Sequence, residues 1–191
     1  ETHTAFTESG KYLYDVLSGF SHLSKVEYIS KTGTEHLLSD CETVWTAGTS
    51  VTATADSAFK KKGTYSAKLV VAVGAASGAT LCYKDIPSED ISDCDKVELW
   101  MYSSVDVTAG QLQFMLGATA AIASPLETIN IPALAAGTWY RHVLTLANPH
   151  LDTAIISIGI YQVSDVGAFT FYLDEVDAVM STSKVYKELV P

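Results

Sequence analysis

The hexapeptide Val97-Glu98-Leu99-Trp100-Met101-Tyr102 alternates apolar and polar side chains, and similar runs recur roughly every ten to fifteen residues, each bounded by turn-forming residues. A period of two sends successive side chains to opposite faces of an extended chain. Each run therefore has one face to bury and one to leave wet, a requirement that two stacked sheets meet and a helix does not. The pattern predicts strands over residues 51–55, 67–73, 79–84, 96–103, 111–116, 128–131, 138–146, 155–163 and 168–179, with Ile86-Pro87-Ser88 as a breaker. Several strands without an internal helical stretch predict an all-β, two-sheet antiparallel jelly-roll β-sandwich over residues 38–180.

The first 37 residues follow another rule. Tyr12, Leu13, Val16, Leu17, Phe20 and Leu23 fall at helical spacing after Ser9, a residue suited to an N-cap. Gly19 interrupts the stripe at a cost of about 1 kcal/mol. A short amphipathic helix and a docked irregular arm both fit, and Tyr12, Leu13, Val16, Leu17 and Phe20 form its candidate partner interface. Residues 25–30 alternate like a strand, Lys31-Thr32-Gly33 turns, and 34–38 would return as the hairpin partner. Residues 181–191 read as a polar tail.

Of the 191 residues only 18% are charged, and mean hydropathy is +0.18, so an extra buried surface such as a subunit contact and a well-filled core both suit the composition. Net charge is −10 and the sequence pI about 4.8, which excludes a general nucleic-acid role. Lys60-Lys61-Lys62 before Gly63 reads as a solvated hairpin tip. Cys41, Cys82 and Cys94 have neither metal-ligand spacing nor an even count, which favours a reducing origin or indifference to redox. No apolar run reaches the ~18–20 residues that span a bilayer, so membrane insertion is not expected. The chain starts at Glu1 without methionine, which leaves an upstream segment and secretion open.

Four pieces in order carry a family resemblance. Asp40-Cys41-Glu42-Thr43-Val44-Trp45, Lys62-Gly63-Thr64-Tyr65-Ser66-Ala67-Lys68-Leu69, Gly137-Thr138-Trp139-Tyr140-Arg141 and Phe171-Tyr172-Leu173-Asp174-Glu175-Val176 resemble segments of the calcium-bearing jelly-roll carbohydrate-binding modules. The resemblance implies one cofactor, calcium. It assigns the ion to the Glu42 and Asp174 carboxylates with backbone carbonyls near Lys62 and Ser66. A pair of surface carboxylates at strand ends is the plainer reading of the same residues. Two further stretches, Ser124 to Thr128 continuing through Ile131 to Trp139, and Asp152 to Gly159, resemble sandwich proteins of tailed bacteriophages. That likeness implies capsid-decoration or tail-associated proteins on the virion surface.

Sugars stack on aromatic faces while amides and carboxylates take their hydroxyls. Glu98, Trp100 and Tyr102 share one face of their strand, and Gln111 and Gln113 share the polar face of theirs. Tyr83, Tyr161 and Tyr172 join them if the faces line up. Burial of Trp100 in a core or interface is the competing expectation, and Trp45 and Trp139 read as packing residues. No H-E-x-x-H, H-x-H, G-x-S-x-G or phosphate loop occurs. Asp174 and Glu175, adjacent on a strand, would point to opposite faces and not work as an acid–base pair.

The leading expectation is a non-enzymatic virion structural protein of a tailed phage, a homo-oligomer adhering to capsid or tail subunits. The alternative is a secreted carbohydrate-binding module, free-standing or from a glycoside hydrolase, that binds a polysaccharide on an aromatic sheet face.

Overall fold

In the chain's computed structural model, residues 26–29, 35–180 and 184–187 are described. They belong to two units. One contains β1 (Val26–Ile29) and the last strand (Lys184–Lys187), paired antiparallel. The other, Thr32–Thr182, is the sandwich.

The sandwich strands are, in order, β2 (Glu35–Ser39), β3 (Thr46–Ala47), β4 (Val51–Asp56), β5 (Ser66–Val71), β6 (Ala79–Glu89), β7 (Lys96–Ser103), β8 (Leu112–Gly117), β9 (Pro125–Asn130), β10 (Trp139–Thr145), β11 (Ile155–Gln162) and β12 (Phe169–Val179). The strand Lys184–Lys187 becomes β13. The first sheet runs β10-β7-β12-β5-β4, with β2 beside β12. The second runs β3-β6-β11-β8-β9. All pairings are antiparallel, and the two-sheet jelly-roll sandwich expected from the alternation is the observed fold.

Strand β7 shows why. Val97, Leu99, Met101 and Ser103 are buried while Lys96, Glu98, Trp100 and Tyr102 are half-exposed. The buried side chains of β5, β7 and β12 join Leu112, Phe114, Leu116, Ile158 and Ile160 of the second sheet in one core.

Three expectations change. The hairpin expected over 25–38 gives way to other pairings among the described residues: β2 pairs with β12, so the sandwich begins before residue 38, and β1 takes β13 from the expected tail. Alternation makes a segment a strand without choosing its neighbour, and these short runs carry no turn strong enough to force a hairpin. Pro87 does not end a strand either. It lies where the β6–β11 register skips from Asp85 to Glu89, a stretch that asks no ladder N–H of it.

The third change concerns Asp174 and Glu175. Glu175 adopts a left-handed φ of 46° at a register shift between β12 and β7. The bulge lets both residues reach one partner: the Lys62 N–H donates to Asp174 Oδ2 at 2.9 Å, and the Lys62 ammonium pairs with Glu175. The lysine run lies in the connection of the β4–β5 hairpin with all three lysines exposed, as the sequence suggested, while the backbone of Lys61 and Lys62 closes on Asp174. The candidate interface residues Tyr12, Leu13, Val16, Leu17 and Phe20 lie outside the described residues. Among the described residues no helix is long and apolar enough to cross a membrane, and all three cysteines are buried and outside any disulfide.

Candidate functional site

The outward face of the first sheet collects its chemistry by register. Tyr102 sits opposite both Trp139 of β10 and Tyr172 of β12, and Trp100 sits opposite Arg141 and Asp174. Tyr172 in turn faces Lys68 of β5. Three neighbouring strands thus bring Tyr102, Tyr172 and Trp139 together, with ring centroids 5.6 to 6.0 Å apart.

The loop between β4 and β5 then crosses this face. Phe59 packs on all three rings, 4.7 Å from Tyr102, 4.8 Å from Tyr172 and 5.4 Å from Trp139. Lys61 Nζ stands 4.9 Å over the Trp100 ring. Asp56 starts the loop: its Oδ1 accepts the N–H of Ala58 at 2.8 Å and of Phe59 at 3.3 Å. Its Oδ2 receives Lys68 Nζ at 3.2 Å and the Tyr172 hydroxyl at 3.4 Å. The Ala58 N–H, followed by Lys68, holds the Asp56 carboxyl below its ordinary range, and Asp56 in return raises Lys68.

The loop's far end closes on two carboxylates. Asp174 Oδ2 accepts the N–H of Lys61 at 2.6 Å and of Lys62 at 2.9 Å; Glu42 accepts those of Thr64 at 2.6 Å and Tyr65 at 3.2 Å. Gly63 suits the turn, because it has a φ of +60° and a Cβ would push the Glu42 carboxylate off the loop. The Ser66 hydroxyl donates to the Phe59 carbonyl at 2.7 Å. The loop therefore offers N–H groups to both carboxylates, and the Ser66 side chain is spent on the loop itself. Asp174 Oδ1 is buried without a hydrogen-bond partner among the described residues. Burial pushes the Asp174 carboxyl up, its two N–H bonds pull it down, and Glu42 adds to the rise.

Beside Phe59, on the same face, opens a shallow cleft of about 410 Å³ lined by Phe59, Tyr102 and Tyr172 and edged by Asp56, Lys68 and Thr170. Flat aromatic faces and a charged hydrogen-bonding pair meet there, the combination that grips a sugar's apolar face and its hydroxyls.

Glu98, Trp100, Tyr102 and Tyr172 are on this face as grouped from the sequence, but Glu98 is tied to Arg141 at 2.7 Å and Trp100 is capped by Lys61. Gln111, Gln113 and Tyr161 do not join them. Gln113 and Tyr161 belong to the second sheet, where Gln113 faces Tyr161 and donates to Asn130 at 2.9 Å, and Gln111, just before β8, accepts the Thr108 N–H. Tyr83 is in that sheet too. Periodicity assigned each side chain to a face of its own strand but not each strand to a sheet. Phe59, Asp56, Lys68 and Trp139 were missed as site residues. For Trp139 a signal existed, since Trp139, Arg141 and Val143 alternate like Tyr102, Trp100 and Glu98, their observed partners; Phe59 sits in a loop without periodicity.

No family model and no curated protein matches this chain. Among solved structures, the carbohydrate-binding module CtCBM11 aligns with 16% identity and a TM-score of 0.51, covering 81% of this chain and 99% of that one. A family 11 carbohydrate-binding module from Clostridium thermocellum, in complex with a β-1,3-1,4-mixed-linked tetrasaccharide, aligns at 13% identity and TM-score 0.45 over 90% and 96% of the two chains. Clostridium thermocellum endo-1,4-β-D-xylanase 10B, crystallised as two modules with xylohexaose, aligns at 14% identity and TM-score 0.47 over 83% of this chain. This chain spans only 28% of that polypeptide. The likeness to CtCBM11 establishes a shared fold.

Proposed function

We propose that this chain is a non-catalytic glycan-binding module that seats a short stretch of polysaccharide in the Phe59–Tyr102–Tyr172 cleft. The observation that carries the reading is the cleft itself: three aromatic side chains converge beside an Asp56–Lys68 pair on one sheet face. The half-exposed rings of Phe59 and Tyr102 offer stacking surface above the largely buried Tyr172, Asp56 accepts from sugar hydroxyls, and Lys68 donates to them. The volume lies within the range of small-ligand sites and suits one or two sugar units. A polysaccharide ligand gives such a module an extracellular place of work.

Calcium belongs to the same proposal as a structural ion. Glu42 and Asp174 repel each other across the loop, and Asp174 Oδ1 is a buried oxygen that a hard cation would satisfy. Bound there, the ion would neutralise the pair and hold the loop that carries Phe59. Backbone carbonyls near Lys62 and Ser66 complete the proposed ligand set. Melting with calcium and then with chelator tests it, and equal melting temperatures remove the site.

The virion reading retains its sequence resemblance as support, and the cleft shifts the weight to glycans. Affinity electrophoresis through gels holding xylan, mixed-linked β-glucan or glucomannan tests the main reading. Retardation in at least one gel is expected, lost in Tyr102→Ala while the melting temperature stays within a few degrees of the parent. Unretarded migration in every polysaccharide, or retardation that survives Tyr102→Ala and Tyr172→Ala, overturns the cleft. Release of sugars from any of these polymers overturns the non-catalytic assignment.

A further inference from the structure

Away from the cleft, β2 and the turn leading into β7 bring three different metal-binding side chains together. His36, Asp93 and Cys94 place one ligand atom each within 4.8 Å of one another. The two edges that meet at Asp93 match a tetrahedral ion. His36 Nε2 lies 3.3 Å from Asp93 Oδ1, and Cys94 Sγ lies 3.6 Å from the same oxygen. Tetrahedral zinc, with bonds of about 2.0–2.1 Å to nitrogen and oxygen and about 2.3 Å to sulfur, sets those edges near 3.4 and 3.6 Å.

Two further features point the same way. His36 Nε2 is a buried nitrogen that makes no hydrogen bond among the described residues. On the other side of the ring, Glu89 Oε2 lies 3.7 Å from Nδ1, just beyond hydrogen-bond distance, on the side from which a carboxylate orients a metal-bound imidazole. Asp93 is exposed, which opens the triangle to solvent, and Cys94 is buried at its base.

We propose that His36 Nε2, Asp93 Oδ1 and Cys94 Sγ form a site for a borderline divalent cation of the zinc type, with a water as fourth ligand. On binding, the Cys94 S–H bond breaks, its proton passes to solvent, and the sulfur electron pair forms the bond to the metal. Nitrogen and thiolate ligands favour zinc or cobalt over calcium. The ion staples β2 to the β6–β7 connection and is independent of the glycan cleft.

Cobalt(II) added to the full chain is the probe, because a cobalt–thiolate bond has a charge-transfer absorption that oxygen and nitrogen ligands lack. The band is expected to grow to one equivalent of cobalt and to vanish when zinc is added. Cys94→Ser abolishes it, His36→Gln weakens cobalt binding by at least about tenfold, and Glu89→Gln by about tenfold through the ring it orients. No band in the parent chain overturns the site. So does a band that persists in Cys94→Ser, since Cys41 or Cys82 would then be its source. If Cys94→Ser fails to fold, His36→Gln decides, because its ring is partly exposed: unchanged affinity in a folded His36→Gln chain overturns the site as well.

Discussion

The outward faces of the two sheets are both crossed by a loop, and they use it oppositely. On the first sheet the 57–65 loop brings an aromatic ring, a cation and four N–H groups onto aromatic and carboxylate partners, and leaves a cleft. On the second sheet the short 3-10 turn at Ala120–Ile122 lays Ile122 against Gly159. A Cβ on Gly159 would lie 3.1 Å from the Ile122 side chain and 2.8 Å from the Cys82 carbonyl. In the second loop a single buried side chain, Ile122, seats on a glycine, whereas the first covers its sheet with groups that can also bind. Both loops are pinned by hydrogen bonds, the second through the Ala121 N–H to Asp85 and the Ser157 hydroxyl to the Thr119 carbonyl, but only the first adds aromatic rings and a cation to its sheet.

The largest effect is expected at the rim of the second sheet. Glu127 accepts the N–H groups of Ala147 and Asn148, whereas the Asp152 carboxylate, 1% exposed, has no hydrogen-bond partner among the described residues. Burial, then Glu127, pushes the Asp152 carboxyl up to about 6. A raised carboxyl means the folded chain holds the proton over a range where the unfolded chain has released it. Stability therefore falls as pH rises from about 4 to above 6, by at most about 3 kcal/mol. Asp152→Asn should remove that decline in urea melts at pH 4 and pH 7, and an undiminished slope would place its origin elsewhere. Gly159→Val should follow, losing about 1–3 kcal/mol by overpacking the second loop, with glycan retention unchanged once folded. Loss of retention in a folded Gly159→Val chain would mean the two faces are not separate.

Phe59→Ala sharpens the contrast from the other side. Removing a half-buried ring from the first loop should cost about 1–2 kcal/mol, less than full core truncation, and should abolish retention because the cleft loses a wall. Stronger retention would instead make Phe59 a plug. The smallest effect belongs to Arg141→Ala. Its partly exposed pair with Glu98 contributes under about 1 kcal/mol, and melting should barely move.

Much of the sandwich could be read in advance because alternation is local: Lys96–Ser103 needs only its own side chains to be recognised as a strand with Val97, Leu99 and Met101 inward. The grouping of Glu98, Trp100 and Tyr102 was legible for the same reason. The cleft was not. Gln113 and Tyr161 have the same pattern as Tyr102 yet lie on the other sheet, and Phe59 has no pattern at all.

Residue order alone determined that this chain must make two-faced strands and bury one face of each, because burial follows the pleat residue by residue. Tertiary structure alone decided which strands are neighbours, that β12 bulges at Glu175 so that Asp174 and Glu175 meet one lysine, and that Phe59 lies on Tyr102 and Tyr172. Those choices depend on contacts between residues more than forty apart in the chain, whose energies no local spacing records.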